Sequence, residues 1–215
     1  MTARTYALRG VQFDRRELRD LSVAWLALGL AFTFFLAPQG ALQPTPAALS
    51  GLMDLFAASM LTAGTAFLLH ELAHKVVAVR FGQTAAFRAD YGLLALAVAS
   101  GLAGFLFAAP GAVYHRGRIT DRQNGLVAVA GPVTNLALAV GFLVPLFLTG
   151  GLVAEVARLG VLVNVFLAAF NMLPVGPLDG RTVLDWHPVP FAGVLLVAVG
   201  FGVVFALTVG LSIGL

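Results

Sequence analysis

Apolar residues in this chain fall in long unbroken runs, not in the period-two alternation of a half-buried strand or the narrow stripe of a soluble amphipathic helix. The first run is Leu21 to Ala37, and a second extends from about Gly51 to Val79. Others cover Tyr91 to Ala109, Asn124 to Thr149, Leu159 to Leu178 and Val189 to Leu215. Runs of ~20 residues match a helix crossing the ~30 Å hydrocarbon layer of a bilayer. Turn-forming residues separate them. The linker Pro38 to Ser50 has prolines and no Lys or Arg, Gly150-Gly151 sets up an antiparallel helix pair, and Ala109 to Tyr114 carries a Pro-Gly break. The pattern predicts an all-α polytopic membrane protein with five to six transmembrane helices.

Composition agrees, with 60% hydrophobic and 11% charged residues against the ~25% charge of an average soluble domain. A length of 215 residues leaves room for these spans and little else. We expect a cytoplasmic N-terminal tail over residues 1–20 and one integral-membrane domain over 21–215, with its core at 51–182. The arginine-rich start and the length of the following run favour a retained first span over a cleaved leader. The net charge of +3 does not point to nucleic acid, because the basic residues lie between apolar runs, where they set topology. The absence of cysteine excludes thiolate metal sites, so a zinc site here must use His and carboxylate ligands.

Candidate chemistry interrupts the second run. His70-Glu71-Leu72-Ala73-His74 places two imidazoles four residues apart on one helical face, able to direct ring nitrogens at a single ion, with a carboxylate beside them within reach of a water. Leu55 to Leu69 contains no charge, and ionisable groups in such a setting are costly unless they pair or bind something. Lys75 and Arg80 close the run at the expected cytoplasmic interface. A catalytic zinc needs a third protein ligand. Asp179 is the candidate, because it follows a long uncharged run and a helix end broken by Pro174, Gly176 and Pro177, whereas Asp90, Asp121 and Asp185 sit beside basic residues as solvated ion pairs would. Asn135 has two readings, a bridge between helices or a group holding substrate or oxyanion. His115 and His187, in polar stretches, read as solvated histidines.

Together, the HELAH segment, Ala130-Gly131-Pro132-Val133-Thr134-Asn135 and Asn171 to Gly180 resemble the site-2 protease family of intramembrane zinc metalloproteases, in matching order over about residues 60 to 182. The resemblance implies that His70, His74 and Asp179 bind one zinc ion per chain, that Glu71 is the general base or acid, and that Asn135 lies beside the catalytic centre. It also implies an enzyme that cleaves a single-pass transmembrane protein substrate within the lipid bilayer after local unwinding. The PDZ-like and CBS-like insertions of some family members are absent from this chain. The alternative from another class is a non-proteolytic membrane metal-binding protein or transporter, against which stands the Glu following His70.

Charge and parity bear on Tyr91 to Ala109. A full crossing would place nine of the 13 Lys and Arg inside and four outside; a dip and return would place twelve inside and only Arg158 outside, closer to the positive-inside pattern. A full crossing would also leave Asp179 on the side opposite His74. We therefore expect a re-entrant helix followed by a short strand from Pro110 to Val113, five true spans, and an N-terminus in the cytoplasm of a cell-membrane protein.

Overall fold

The computed structural model describes residues 5–8, 10–38, 45–107 and 111–211. The chain opens with an antiparallel hairpin, β1 (Thr5–Leu8) and β2 (Val11–Asp14), that turns at Gly10 with φ 86°. Helix α1 (Arg15–Leu36) follows directly, because Asp14 caps it by accepting the Glu17 amide at 2.7 Å. The segment expected to be a tail up to residue 20 is thus strand and helix among the described residues. Charge patterning alone marked it as polar, yet Glu17 and Asp20 are both buried.

Helix α2 (Pro46–Ser59) passes through a π turn at Met60–Gly64 into α3 (Thr65–Arg80). The three make one apolar span of 35 residues. The Met60 carbonyl accepts the Thr65 amide of the π turn, and it also accepts from the Trp25 indole at 3.2 Å and the Thr65 hydroxyl at 3.0 Å. Ser59, Ala63 and Ala66 are buried; Ala63 and Ala66 pack with Phe32 of α1 and with Leu159 and Val163 further along the chain.

Strand β3 (Thr84–Ala89), helix α4 (Tyr91–Leu102) and strand β4 (Gly111–Arg116) come next. The strands pair antiparallel with Ala89 opposite Gly111, so the excursion between them leaves and returns at one place. Helix α4 has 12 residues, a length of ~18 Å, too short for the bilayer. This is the re-entrant helix with its strand. Residues 108–110, including the Pro110 assigned to that strand, lie outside the described residues.

Helices α5 (Asp121–Leu148), α6 (Gly151–Asn171), α7 (Asp179–Trp186) and α8 (Pro188–Thr208) complete the chain. A capping box between Thr120 and Gln123 starts α5, and α6 packs back along it after the Thr149-Gly150 turn. Helix α6 begins well before Leu159, since Glu155 and Arg158 pair on its first turns at 3.8 Å. Among the described residues, five helices are long and apolar enough to cross a membrane: α1, the continuous α2–α3, α5, α6 and α8. The protein is an all-α multi-pass membrane protein with two small two-stranded sheets among the described residues. Helix α3 touches α1, α5, α6, β3 and β4, and the site is built on it.

Candidate metal centre

Helix α3 presents His70, Glu71 and His74 to the interior, all three buried. Spacing of one turn brings the two imidazole Nε2 atoms to 2.9 Å. Asp179 arrives from another direction. Helix α6 ends at Asn171; Pro174, Gly176 (φ 55°) and Pro177 then reverse the chain, and Asp179 opens α7. A Cβ on Gly180 would collide with the Met172 carbonyl, so the glycine permits the close return. Asp179 Oδ2 lies 3.2 Å from His70 Nε2 and 3.4 Å from His74 Nε2, close to the ~3.3 Å edge of a tetrahedron of donors ~2.0 Å from zinc. A group of three able to hold a metal ion results.

Hydrogen bonds on the far side of each ring decide what faces inward. His70 Nδ1 lies 2.6 Å from Asn135 Oδ1, and His74 Nδ1 lies 2.7 Å from the Val127 carbonyl. Both partners are acceptors, so each Nδ1 carries the proton and each Nε2 presents a lone pair. Asp179 Oδ2 is buried and finds no hydrogen-bond donor. Three electron pairs converge with nothing between them to donate, and a cation is the species that fits. Two neutral imidazoles and a carboxylate form a zinc donor set.

The Gly131-Pro132 pair and Asn135 on α5 have separate physical tasks. A Cβ on Gly131 would stand 2.5 Å from Nε2 of both His70 and His74, in the space where a metal belongs. Pro132 has no N–H for the Ala128 carbonyl and opens the helix ladder at this turn, beside the Val127 carbonyl that His74 uses. Asn135 is fully buried and holds His70, while its own amide nitrogen donates to the Ala66 carbonyl at 3.2 Å and to Asn164 Oδ1 at 2.9 Å. Of the two readings of Asn135, these contacts are those of a bridge, with a histidine of the site at one end.

The chain is 38% identical over 194 residues to a protein of Methanocaldococcus jannaschii named "putative zinc metalloprotease", an overlap covering 88% of this chain and 94% of that one. A Bacillus subtilis protein named in the same words is 32% identical over 152 residues, covering 59% of this chain and 67% of its own. The chain belongs to this zinc metalloprotease family. Its cofactor is zinc, as its donor set and its relatives agree. No family model and no solved structure matches the chain.

In this zinc metalloprotease a cavity of about 300 Å³ opens at the three residues. Its lining is apolar at Leu28, Phe32 and Phe67 and polar at His115, Asn124 and Thr182. Gly111, Ala112 and Val113 of β4 form part of the wall. His115, expected to be solvated, is half-buried on β4 and lines this cavity. A histidine among arginines carried no sign of that, because the pairing of β4 with β3 sets its direction. His187 instead caps α8, accepting the Val189 amide at 3.2 Å.

Lys75 departs from expectation. It does not reach an interface: it is fully buried. Its ammonium lies 2.5 and 2.6 Å from the two Glu17 oxygens, donates to the Gln12 carbonyl at 2.6 Å and sits 3.8 Å from the Phe13 ring centroid. Glu17 also accepts the Phe87 amide of β3 at 3.0 Å. Beside it Asp14 binds Arg88 at 2.7 Å, and the guanidinium holds this carboxyl below its ordinary value. The N-terminal hairpin is thereby fastened to α3 and β3.

Proposed function

We propose that this zinc metalloprotease is an intramembrane enzyme of the site-2 type, hydrolysing a peptide bond in a locally unwound transmembrane helix of a single-pass substrate. The observation that supports this reading most is the position of the donor set on an apolar 35-residue span, with Asp179 returned to it from beyond the end of another span. His70, His74 and Asp179 are the zinc ligands. Zinc held there supplies the Lewis acidity that makes a water acidic and a carbonyl electrophilic. Glu71, next to His70 and outside the donor set, takes the proton of the attacking water and returns it to the leaving nitrogen. Asn135 holds His70 in place.

A helical substrate has its backbone groups paired and must open before its carbonyl can enter the cavity. Strand β4 offers those groups new partners. Glu17 occupies the outer edge of β3 at Phe87, whereas β4 faces the cavity through Gly111, Ala112 and Val113, so an extended segment adds to β4. The apolar lining at Leu28, Phe32 and Phe67 takes its side chains.

The decisive comparison is cleavage of a reconstituted membrane substrate by wild type and Glu71→Gln. The variant is expected to keep its zinc and lose turnover by on the order of 10²–10⁴-fold; undiminished turnover overturns the protease mechanism. Orientation is tested separately. With the N-terminus cytoplasmic, single cysteines at Gly117 and Gln123 of this cysteine-free chain escape an impermeant thiol reagent added to intact cells. Labelling from outside reverses the assignment.

A further inference from the structure

Asn164 carries no motif and touches no member of the donor set, yet it is fully buried in the middle of α6 and joined to His70 through one intermediate. Its side-chain nitrogen lies 2.9 Å from the Gly160 carbonyl, its Oδ1 lies 2.9 Å from the Asn135 nitrogen, and Asn135 Oδ1 lies 2.6 Å from His70 Nδ1. The direction of this chain follows from its fixed end. A backbone carbonyl can only accept, so Asn164 must turn its NH₂ to Gly160 and its oxygen to Asn135. Asn135 must then turn its NH₂ to Asn164 and its oxygen to His70, which leaves the proton of His70 on Nδ1 and the lone pair on Nε2.

The opposite arrangement has a definite cost. A flipped Asn135 would point N–H groups at His70, draw the imidazole into the Nε2–H form and aim a proton at the metal position. Two contacts oppose that flip, the bond to Asn164 and a longer one of 3.2 Å to the Ala66 carbonyl. Removing the first leaves only the longer bond to hold the amide.

We infer that Asn164 is a positioning residue for zinc, fixing the tautomer of His70 by setting the direction of the Asn135 amide. The inference rests on the reading that His70 is a zinc ligand. Outer partners of a zinc-bound histidine change metal affinity by ~10–100-fold, and a residue one bond further away belongs at the lower end.

The test uses the full chain in detergent, with zinc affinity measured by competition against a chelating chromophore and the tautomer of His70 read by ¹⁵N NMR of the metal-free protein. Wild type is expected to bind one zinc and to show His70 protonated on Nδ1. Asn164→Leu, with the same branching and number of side-chain heavy atoms and no polar ones, is expected to lose about tenfold in affinity and to mix the two tautomers. Asn164→Asp is expected to behave as wild type, since a carboxyl in this apolar setting stays protonated, donating to Gly160 and accepting from Asn135 as the amide does. If the Leu variant fails to fold, Asn164→Ala makes the same comparison without steric strain. Wild-type affinity together with an unchanged tautomer in the Leu or Ala variant overturns the inference and leaves the ligand assignment standing. A wild type that binds no zinc overturns both.

Discussion

His74 and Lys75 are neighbours in sequence, and α3 turns them to two buried polar clusters of opposite character. Around Lys75 the bonding closes: the ammonium has two carboxylate oxygens and a carbonyl, and Glu17 has the Lys75 ammonium and the Phe87 amide. Around His70, His74 and Asp179 it does not, because Asp179 Oδ2 meets no donor and two imidazole lone pairs face it. A buried polar cluster that satisfies itself is part of the fold. One that converges acceptors with no protein donor among them is built for something that is not protein.

Removing a member should have opposite consequences in the two clusters. Asp179→Ala is expected to lower zinc affinity by more than the ~10–100-fold of an outer partner and to abolish turnover, while the metal-free protein unfolds at nearly its original temperature. Metal content after gel filtration and a melt in detergent read the two effects. A large destabilisation of the metal-free form would erase the contrast.

Lys75→Met should do the reverse. An unpaired Glu17 in that setting costs about 3–5 kcal/mol, seen as a lowered melting temperature. The double variant Glu17→Gln with Lys75→Met is expected to recover most of this stability, because no uncompensated charge remains and Gln still accepts the Phe87 amide. Failure to recover would mean that the pair acts through its charge and not through closure of its bonds.

The pair at the rim should matter least. Arg88→Gln is expected to cost below ~1 kcal/mol. Its pH dependence follows from the depressed Asp14 carboxyl: the contribution is fully present above the ordinary value of 3.8 and is lost as pH falls through the lower folded value. Acid melts of wild type and Arg88→Gln should converge there.

How far each cluster was legible in the sequence follows from how local its signals are. His70, Glu71 and His74 share two turns of one helix, and the break before Asp179 is written in Pro174, Gly176 and Pro177. The re-entrant helix was legible through parity, since a crossing would have parted Asp179 from His74. Lys75 and Glu17 are 58 residues apart, and each alone looks like an ordinary charge near a membrane face. The hairpin before α1 was read as tail because arginines obscure the alternation in Val11 to Asp14. Asn164 was passed over for a related reason, since one amide in an apolar helix acquires meaning only from the helix it meets.

The fastening of Glu17 to Lys75 and Phe87 also orders the birth of the molecule. As α1 emerges from the ribosome and enters the bilayer, Glu17 has no partner, and it waits through the synthesis of α2 and α3 before a counter-charge exists. The strand that fills its last bond, β3, is made later still. Asp179 comes after two further spans. Every residue of that fastening is therefore synthesised before Asp179, so the donor set is the later of the two clusters that the growing chain can complete.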